Sequence, residues 1–292
     1  MLKSRLLKFA LAGAALIAVP VAVEAHRQWM IVSSTTVSGT DNWVTVDAAV
    51  SNDLFFFDHR PLAAKPVVTA PDGSTIEVAN HMVGQFRATF DVHLTQQGTY
   101  RIAVVNDGLS GSYKLNGETK MLPRGTTKAN LAERVPAGAT DVVTAASISR
   151  NEIFVTQGAP TSDIFKPTGS GIELVPVTHP NDLVSGEAAT FQFLLDGKPA
   201  ANLFVTAIPG GIRYRDKLND MHLKTDAQGK VTITWPVPGL YWINVTETAP
   251  VEEGAGPGMG QGAPGAAGPR PMGPPRRRDR DPQGASTSTV VT

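Results

Sequence analysis

From Trp29 to Val245 the chain is a succession of short runs rich in β-branched and aromatic residues, each broken by Gly, Pro, Asn or Asp. That rhythm constrains the fold more than any other feature, because it leaves almost no window long enough for a helix. Strands are expected at Trp29 to Thr35, Trp43 to Val50, Pro66 to Ala70, Gly84 to Leu94, Thr99 to Val105, Asp141 to Ile148 and Glu152 to Thr156. A second set is expected at Ile172 to Val177, Ala188 to Leu195, Leu203 to Ile208, Met221 to Thr225, Lys230 to Trp235 and Tyr241 to Thr246. Short strands so spaced make sandwiches. The expected fold class is all-β, with two β-sandwich domains in tandem. The one plausible helix is Thr127 to Arg134, which Thr126 or Thr127 can cap and which has room for a turn or two.

The two halves share a pattern. Gly98-Thr99-Tyr100-Arg101-Ile102-Ala103-Val104 and Gly239-Leu240-Tyr241-Trp242-Ile243-Asn244-Val245 both read Gly-x-Tyr-x-Ile-x-Val. An alternating run precedes each, Phe86-x-Ala88-x-Phe90-x-Val92 in one and Val231-x-Ile233-x-Trp235 in the other, so a glycine turn joining two antiparallel strands is expected in both. The first domain is assigned to residues 26–156, a Gly- and Pro-containing linker to 157–170, and the second domain to 171–248. From Ala249 the composition changes, with 8 prolines, 9 glycines and no aromatic residue up to Thr292. Residues 249–292 are therefore expected to be a disordered tail that buries too little apolar surface to offset its ordering entropy.

Residues 1–25 read as an export signal. Lys3, Arg5 and Lys8 precede an apolar run from Phe9 to Val23, and Val23-Glu24-Ala25 supplies small residues three and one places before a cut. Cleavage after Ala25 makes His26 the first residue of a periplasmic protein. A terminal amine, with an unperturbed pKa of about 8 against about 10.4 for lysine, gives up its proton readily enough to bind metal. With the near ring nitrogen of the same histidine it closes a chelate ring that no internal histidine offers. Removing the leader also takes the 26 basic and 26 acidic residues of the full chain to a net charge of −2, which is no footprint for nucleic acid. Without cysteine there is neither disulfide nor thiolate ligand, and the only apolar stretch approaching the length of a membrane span is the leader itself.

A transition-metal site must then use imidazole, carboxylate and the terminal amine. Of the six histidines, His59 is the most suggestive partner for His26, since Phe55-Phe56-Phe57-Asp58-His59-Arg60-Pro61 sets an aromatic run beside it. Asp58 can ligate, or it can orient an imidazole from behind; His59 can equally be a turn residue before Pro61. His93 falls on the outer face of its strand with Arg87 and Asp91, His81 follows a turn, and His179 and His222 have no visible partner. No nucleophile elbow, phosphate-binding glycine loop, zinc-protease helix or dinucleotide fingerprint occurs.

The start Ala25-His26-Arg27-Gln28-Trp29, the run Trp43 to Phe55, the Asp58-His59 pair and Gly211-Ile212-Arg213-Tyr214-Arg215-Asp216 resemble the domain of unknown function 4198 family. The resemblance spans most of His26 to Val245. It implies an exported bacterial protein, of a kind often labelled a nickel or cobalt uptake component, whose second half is similar to Ig-like or transthyretin-like modules. The expected function is periplasmic binding of nickel, cobalt or copper through His26, His59 and Asp58, with an outer-membrane receptor or inner-membrane permease as partner and no reaction catalysed. Two alternatives stand beside it: a metal-free scaffold or glycan-binding module of the envelope, and a copper oxygenase built on the N-terminal histidine.

Overall fold

The computed structural model describes residues 27–123, 125–249 and 286–291. Strands make up 52% of it and helix 4%, so the chain is all-β as its rhythm requires. The first half holds β1 (Arg27–Val32), β2 (Thr36–Val37), β3 (Asn42–Ser51), β4 (Val67–Thr69), β5 (Thr75–Ile76), β6 (Ala79–Val83), β7 (Ala88–Leu94), β8 (Gly98–Leu115), β9 (Glu118–Met121) and β10 (Thr140–Gln157). The second holds β11 (Ile172–Pro176), β12 (Ala188–Leu195), β13 (Lys198–Pro199), β14 (Phe204–Pro209), β15 (Met221–Lys224), β16 (Lys230–Thr234), β17 (Tyr241–Thr246) and β18 (Ser286–Val291). The expected helix shrinks to one turn, α1 (Leu131–Arg134), because neither threonine caps it and none of its residues is buried.

The strands form three layers. A ten-stranded sheet runs β15-β14-β17-β18-β10-β8-β4-β5, with β2 alongside β10 and β9 alongside β8. The sheet β1-β3-β7-β6 packs on one of its faces, and β11-β12-β13, with β16 on β12, packs on the other. Successive side chains of a strand point to opposite faces, so the central strands feed both cores. Ile153 and Val155 of β10, Trp242 of β17, Ile208 of β14 and Val290 of β18 enter the first core with Trp29, Val46 and Phe90. Their neighbours Phe154, Tyr241, Ile243, Ala207 and Val291 enter the second with Phe191, Phe193 and Trp235. Each such apolar side chain contributes about 1.5–3 kcal/mol by leaving water. The two sandwiches are thus the two sides of one sheet, and they meet along β10 and β18; residues 157–170, expected as a linker, send Ile164 and Phe165 into the second core.

The tail differs from expectation at its end. Ser286–Val291 is a central strand, parallel to β10 from Ser149↔Ser286 to Ile153↔Val290 and antiparallel to β17 from Thr246↔Ser286 to Tyr241↔Val291. Averaged composition hid it. Thr287, Thr289, Val290 and Val291 are β-branched and suit a pleated, two-sided position, and pairing on both edges satisfies their backbone groups. The rest of the expected tail lies outside the described residues.

The repeated Gly-x-Tyr motif is real, but the expected hairpins are not. β7 pairs with β3 and β6 while β8 pairs with β10 and β4; likewise β16 pairs with β12 while β17 pairs with β14 and β18. Each glycine therefore carries the chain from an outer sheet across to the central one. The tyrosine fastens that crossing. The Tyr100 hydroxyl accepts from Gln96 N–H at 2.6 Å and donates to its carbonyl at 3.0 Å, and the Tyr241 hydroxyl does the same with Val237 at 3.2 and 2.7 Å.

β8 and β10 also run further than expected. Their distal parts pair outside both core clusters, with Val142 and Val143 of β10 exposed, and Gly111 sits where an added Cβ would lie 2.0 Å from the Val143 carbonyl oxygen. That close backbone approach is what a glycine at position 111 allows.

Candidate functional site at the Asp58 and His59 loop

The end of β3 and the loop after it bring the sequence motifs together. Arg27, the first described residue, is in register with Ser51, and its guanidinium donates to the Asn52 carbonyl at 2.5 Å. On the other side of β3, Val50 N–H donates to the Arg60 carbonyl at 3.2 Å and Pro61 bridges to Ala49, so the loop from Asn52 to His59 leaves and rejoins the same strand. Its aromatic residues divide their work. Phe55 and Phe57 pack on Trp29 at 5.5 and 5.4 Å between ring centroids, and the Trp29 indole N–H donates to the Ser51 hydroxyl at 2.7 Å. Phe55 does this with a φ of 66°, a left-handed conformation that costs a bulky residue about 1–3 kcal/mol and is held by its packing. Its ring lies 3.1 Å from where a Cβ on Gly210 would be, which is why a glycine stands there.

Gly210 begins the second contribution, the turn after β14. Gly211 takes a left-handed φ of 74° into the single 3-10 turn Ile212–Tyr214. Arg215 shapes this turn: its guanidinium donates to the carbonyls of Gly210, Pro209, Leu218 and Lys217. Arg213 is then presented to the loop. Its Nε donates to Asp53 Oδ2 at 2.9 Å, its Nη2 lies 3.8 Å from Asp58 Oδ2, and the guanidinium sits 4.0 Å above the Phe56 ring, with Tyr214 beyond it at 6.4 Å. Asp58 turns its other oxygen to His59, with Oδ1 2.9 Å from Nδ1. A proton on Nδ1 shared with that carboxylate leaves Nε2 as the basic nitrogen of the ring.

Of the expected ligands, then, Asp58 and His59 are adjacent, His59 half-buried and Asp58 exposed, and His26 lies outside the described residues. Among the described residues no group of three or more His, Asp or Glu side chains is close enough together to hold a metal ion. Asp53 is the nearby carboxylate that sequence reasoning missed; no motif marks it, and only Arg213, which arrives from the other half of the chain, ties it to Asp58. The remaining histidines each have surroundings. His93 stacks on Trp43 at 4.2 Å and meets Asp41, while His222 lies 2.6 Å from Asp220, so the absence of a partner expected for it is corrected.

His179 is corrected in the same way, being an interior bridge and not a bare loop residue. Its Nδ1 accepts from the Asn181 N–H at 3.1 Å, so the ring proton is on Nε2, which donates to the Thr99 hydroxyl at 3.0 Å, and Phe165 meets the ring edge-on. Burial holds its pKa below the ordinary histidine value.

A second polar cluster lies beneath the surface on the other face of β10. Arg150, Glu152 and Glu173 are all buried, with Arg150 Nη2 3.8 Å from Glu173 Oε1, and Arg101 and Lys166 line the same narrow cleft. Burial pushes the Glu152 carboxyl up, against the pull of Arg150 and Arg101. Glu173 differs. Burial raises it too, but the Thr168 hydroxyl, the backbone N–H groups of Thr168 and Gly169 and the nearby Arg150 outweigh that and hold it below the ordinary carboxylate range.

Residues 23–249 match the family described as a domain of unknown function, DUF4198. The chain belongs to that family. Both halves of the Asp58 loop site, and the whole three-layer body apart from β18, fall inside the matched stretch. Among solved structures, the D0-D1 domain of intimin is 18% identical, with 75% of this chain and 91% of that chain covered and a TM-score of 0.20. The ligand-binding domain of human OSCAR is 15% identical, with 77% and 93% covered and a TM-score of 0.18. At those TM-scores neither likeness carries a conclusion. No curated protein matches the chain. No helix among the described residues is long and apolar enough to cross a membrane.

Proposed function

We propose that this DUF4198 protein is exported to the periplasm, loses residues 1–25, and binds a divalent transition metal (nickel, cobalt or copper) at the mouth of the Asp58 loop. His26 supplies its terminal amine and imidazole, and His59 a second imidazole through Nε2. Asp58 is the acceptor that fixes the His59 ring. One observation carries the reading: β1 opens at Arg27 beside Ser51 and Asn52, the residues that lead into the Asp58 and His59 loop, and His26 is the next residue towards the N-terminus. The 2.9 Å contact between Asp58 and His59 supports the division of labour, since a carboxylate on the far nitrogen sets the tautomer of a ligating imidazole and raises its basicity. A nitrogen-rich set has intrinsic preference for copper over nickel over cobalt, so supply in the compartment selects the ion. The role is carriage of that ion to an outer-membrane receptor or an inner-membrane permease, with no reaction catalysed.

The test is metal analysis of the mature protein purified from the periplasm, beside a form with one alanine added before His26 and beside His59→Ala. The added residue turns the amine into an amide and leaves the fold alone. Loss of bound metal in both forms is expected, with mass spectrometry placing the mature start at His26. Equal metal content in all three, or a different first residue, overturns the site.

A further inference from the structure

Four residues close a ring of hydrogen bonds where the loop after β11 meets the central sheet. Thr99 of β8 and Thr156 of β10 are register partners, both buried, with hydroxyl oxygens 3.0 Å apart. His179 and Asn181 reach them from residues 177–187, the loop between β11 and β12. The direction of every bond is fixed. The Asn181 N–H donates to His179 Nδ1 at 3.1 Å, which leaves the imidazole proton on Nε2, and Nε2 donates to the Thr99 hydroxyl at 3.0 Å. The Asn181 side-chain nitrogen donates to the Phe154 carbonyl, so its oxygen is the acceptor for the Thr156 hydroxyl at 3.1 Å. Thr156 has then used its hydrogen, and Thr99 must donate to Thr156. Each group hands its hydrogen to the next around the circuit, an arrangement in which the bonds strengthen one another.

The circuit holds the middle of the loop. The ends of the loop are tied within the second sandwich, Thr178 to Thr190 and Gly186 to Trp235, whereas His179 and Asn181 fasten it to β8 and β10. Two bonds of 3.0 Å between Thr99 and Thr161 add the segment before the 3-10 turn Asp163–Phe165 to the same clamp. A neutral imidazole fits this place and an imidazolium does not. With both nitrogens protonated, Nδ1–H would face the Asn181 N–H, a repulsion where there was a bond. Burial is the largest influence on the ring and keeps it neutral, against the Thr161 carbonyl. The charged groups on the elements around it are Arg101 of β8, Glu152 of β10, Glu173 of β11, Asp163 and Lys166 at the 3-10 turn and Asp182 of its own loop. Of these only Asp182 bears on the imidazole, and it favours the proton.

We propose that this circuit is a proton-operated latch, in which a proton taken up at His179 Nδ1 frees residues 179–183 from β8 and β10 while both sandwiches stay folded. The new proton removes the Asn181 bond, and an imidazole that turns away to shed the clash removes the Thr99 bond as well. The ladder between β8 and β10 uses backbone groups and is untouched. What moves is the loop, together with Leu183, which packs against the second core, and the imidazole that lies edge-on to Phe165. The released ring takes its proton at the ordinary histidine value of about 6.5 and the latched ring only at a lower pH. The latch is therefore complete above the ordinary value and opens progressively as pH falls through the interval below it.

Amide hydrogen exchange of the mature protein tests this. Protection at Asn181, bonded to Nδ1, and at Asp182, bonded to the His179 carbonyl, is followed from about pH 7.5 to about pH 5, with Ile243 and Val245 of β17 as the internal reference. Relative to β17, the loop is expected to lose protection below about pH 6.5, by up to roughly tenfold per pH unit. His179→Gln cannot titrate, and its ratio of loop to β17 protection is expected to stay flat. A flat ratio in the wild type, or an equal fall in the variant, overturns the latch. A second measurement needs no variant. In nitrogen NMR of the wild-type imidazole, arrival of the proton at Nδ1 is expected to coincide with shifts at Thr99, Thr156 and Asn181 while β17 signals hold. An imidazole that takes its proton with those signals unmoved, or that stays neutral until the whole chain unfolds, also overturns it.

Discussion

Arg213 donates to Asp53 at 2.9 Å from the opposite half of the chain, while the same guanidinium sits 4.0 Å above the Phe56 ring and 3.8 Å from Asp58. One side chain thus ties the turn after β14 to the loop after β3. The carboxylate that faces His59 is oriented partly by a residue more than 150 positions away in sequence.

Arg213→Ala should therefore separate stability from binding. The ion pairs are part-exposed, so their loss costs on the order of 1 kcal/mol or less, a shift of a few degrees in thermal midpoint. Loss of the guanidinium frees Asp53 and lets Asp58 turn from His59, and metal affinity should fall roughly 10-fold or more, as for other changes behind a ligand. Titration calorimetry with nickel or copper beside a thermal melt reads both. A large drop in midpoint with affinity unchanged would make Arg213 a purely structural strut.

Glu152 should make stability depend on pH in a definite direction. Burial raises its pKa in the folded state above the unfolded value, so its favourable contribution is complete below the unfolded pKa and is lost as pH rises through the folded one. At neutral pH the buried carboxylate is a liability despite Arg150. Glu152→Gln is accordingly expected to raise the thermal midpoint at pH 7 to 8, each kcal/mol gained appearing as about 2–4 °C for a chain of this size. The gain should vanish once the pH falls below the ordinary carboxylate range, where the wild-type side chain is protonated in both the folded and the unfolded chain. Glu173, whose carboxyl is held low by its own hydrogen bonds, is the same in both proteins and drops out of the comparison. Melts across pH 4 to 8 decide it, and a midpoint lowered at pH 8 would mean that the pairing with Arg150 outweighs burial.

What the sequence revealed follows from how local each signal is. Alternation within one strand needs no knowledge of neighbours, so β3, β12, β14 and β17 are legible within a residue or two. Which strand lies beside which depends on partners far along the chain. The crossings at Gly98 and Gly239 therefore look like hairpins until the sheets are known, although Gly-x-Tyr itself marks them. β18 escaped for the opposite reason: its six residues are outvoted by the linker before them, and Thr and Ser at both cores carry no hydrophobic signature. At the site, Asp58 and His59 are adjacent in sequence and needed only chemistry to be noticed. Asp53 and Arg213 needed the fold.

The two tyrosine corners offer a test of how independent the cores are. Tyr100→Phe removes the hydroxyl bonded to Gln96, and Tyr241→Phe the one bonded to Val237. Each should cost about 1–2 kcal/mol, the loss of a buried hydrogen-bonding group at a point where the chain changes sheet. Tyr100 faces the first core and Tyr241 the second, with no shared partner, so the double variant should lose the sum within about 0.5 kcal/mol. Urea unfolding of the four proteins measures this. A shortfall beyond that margin would mean the two faces of the central sheet unfold as one unit with coupled packing, through β10 and β18.

Asp58→Asn is the sharpest test of how His59 is used. The amide keeps the size and shape of the carboxylate and can still accept from Nδ1–H through its oxygen, so the loop, its aromatic packing on Trp29 and the thermal midpoint should hardly change. What disappears is the negative charge behind the ring, which under the proposed role fixes the Nδ1–H tautomer and leaves Nε2 to face the ion. Affinity for nickel or copper should fall about 10- to 100-fold if Asp58 acts from behind the imidazole. If Asp58 instead binds the ion directly, the loss should be larger, and Asp58→Glu, which lengthens the reach by one methylene, should recover part of it. Under the orienting role Asp58→Glu moves the acceptor away from Nδ1 and recovers none. Calorimetric affinities for the two variants, taken at one pH above the titration range of histidine, distinguish the two roles, and wild-type affinity in both would remove Asp58 from the site.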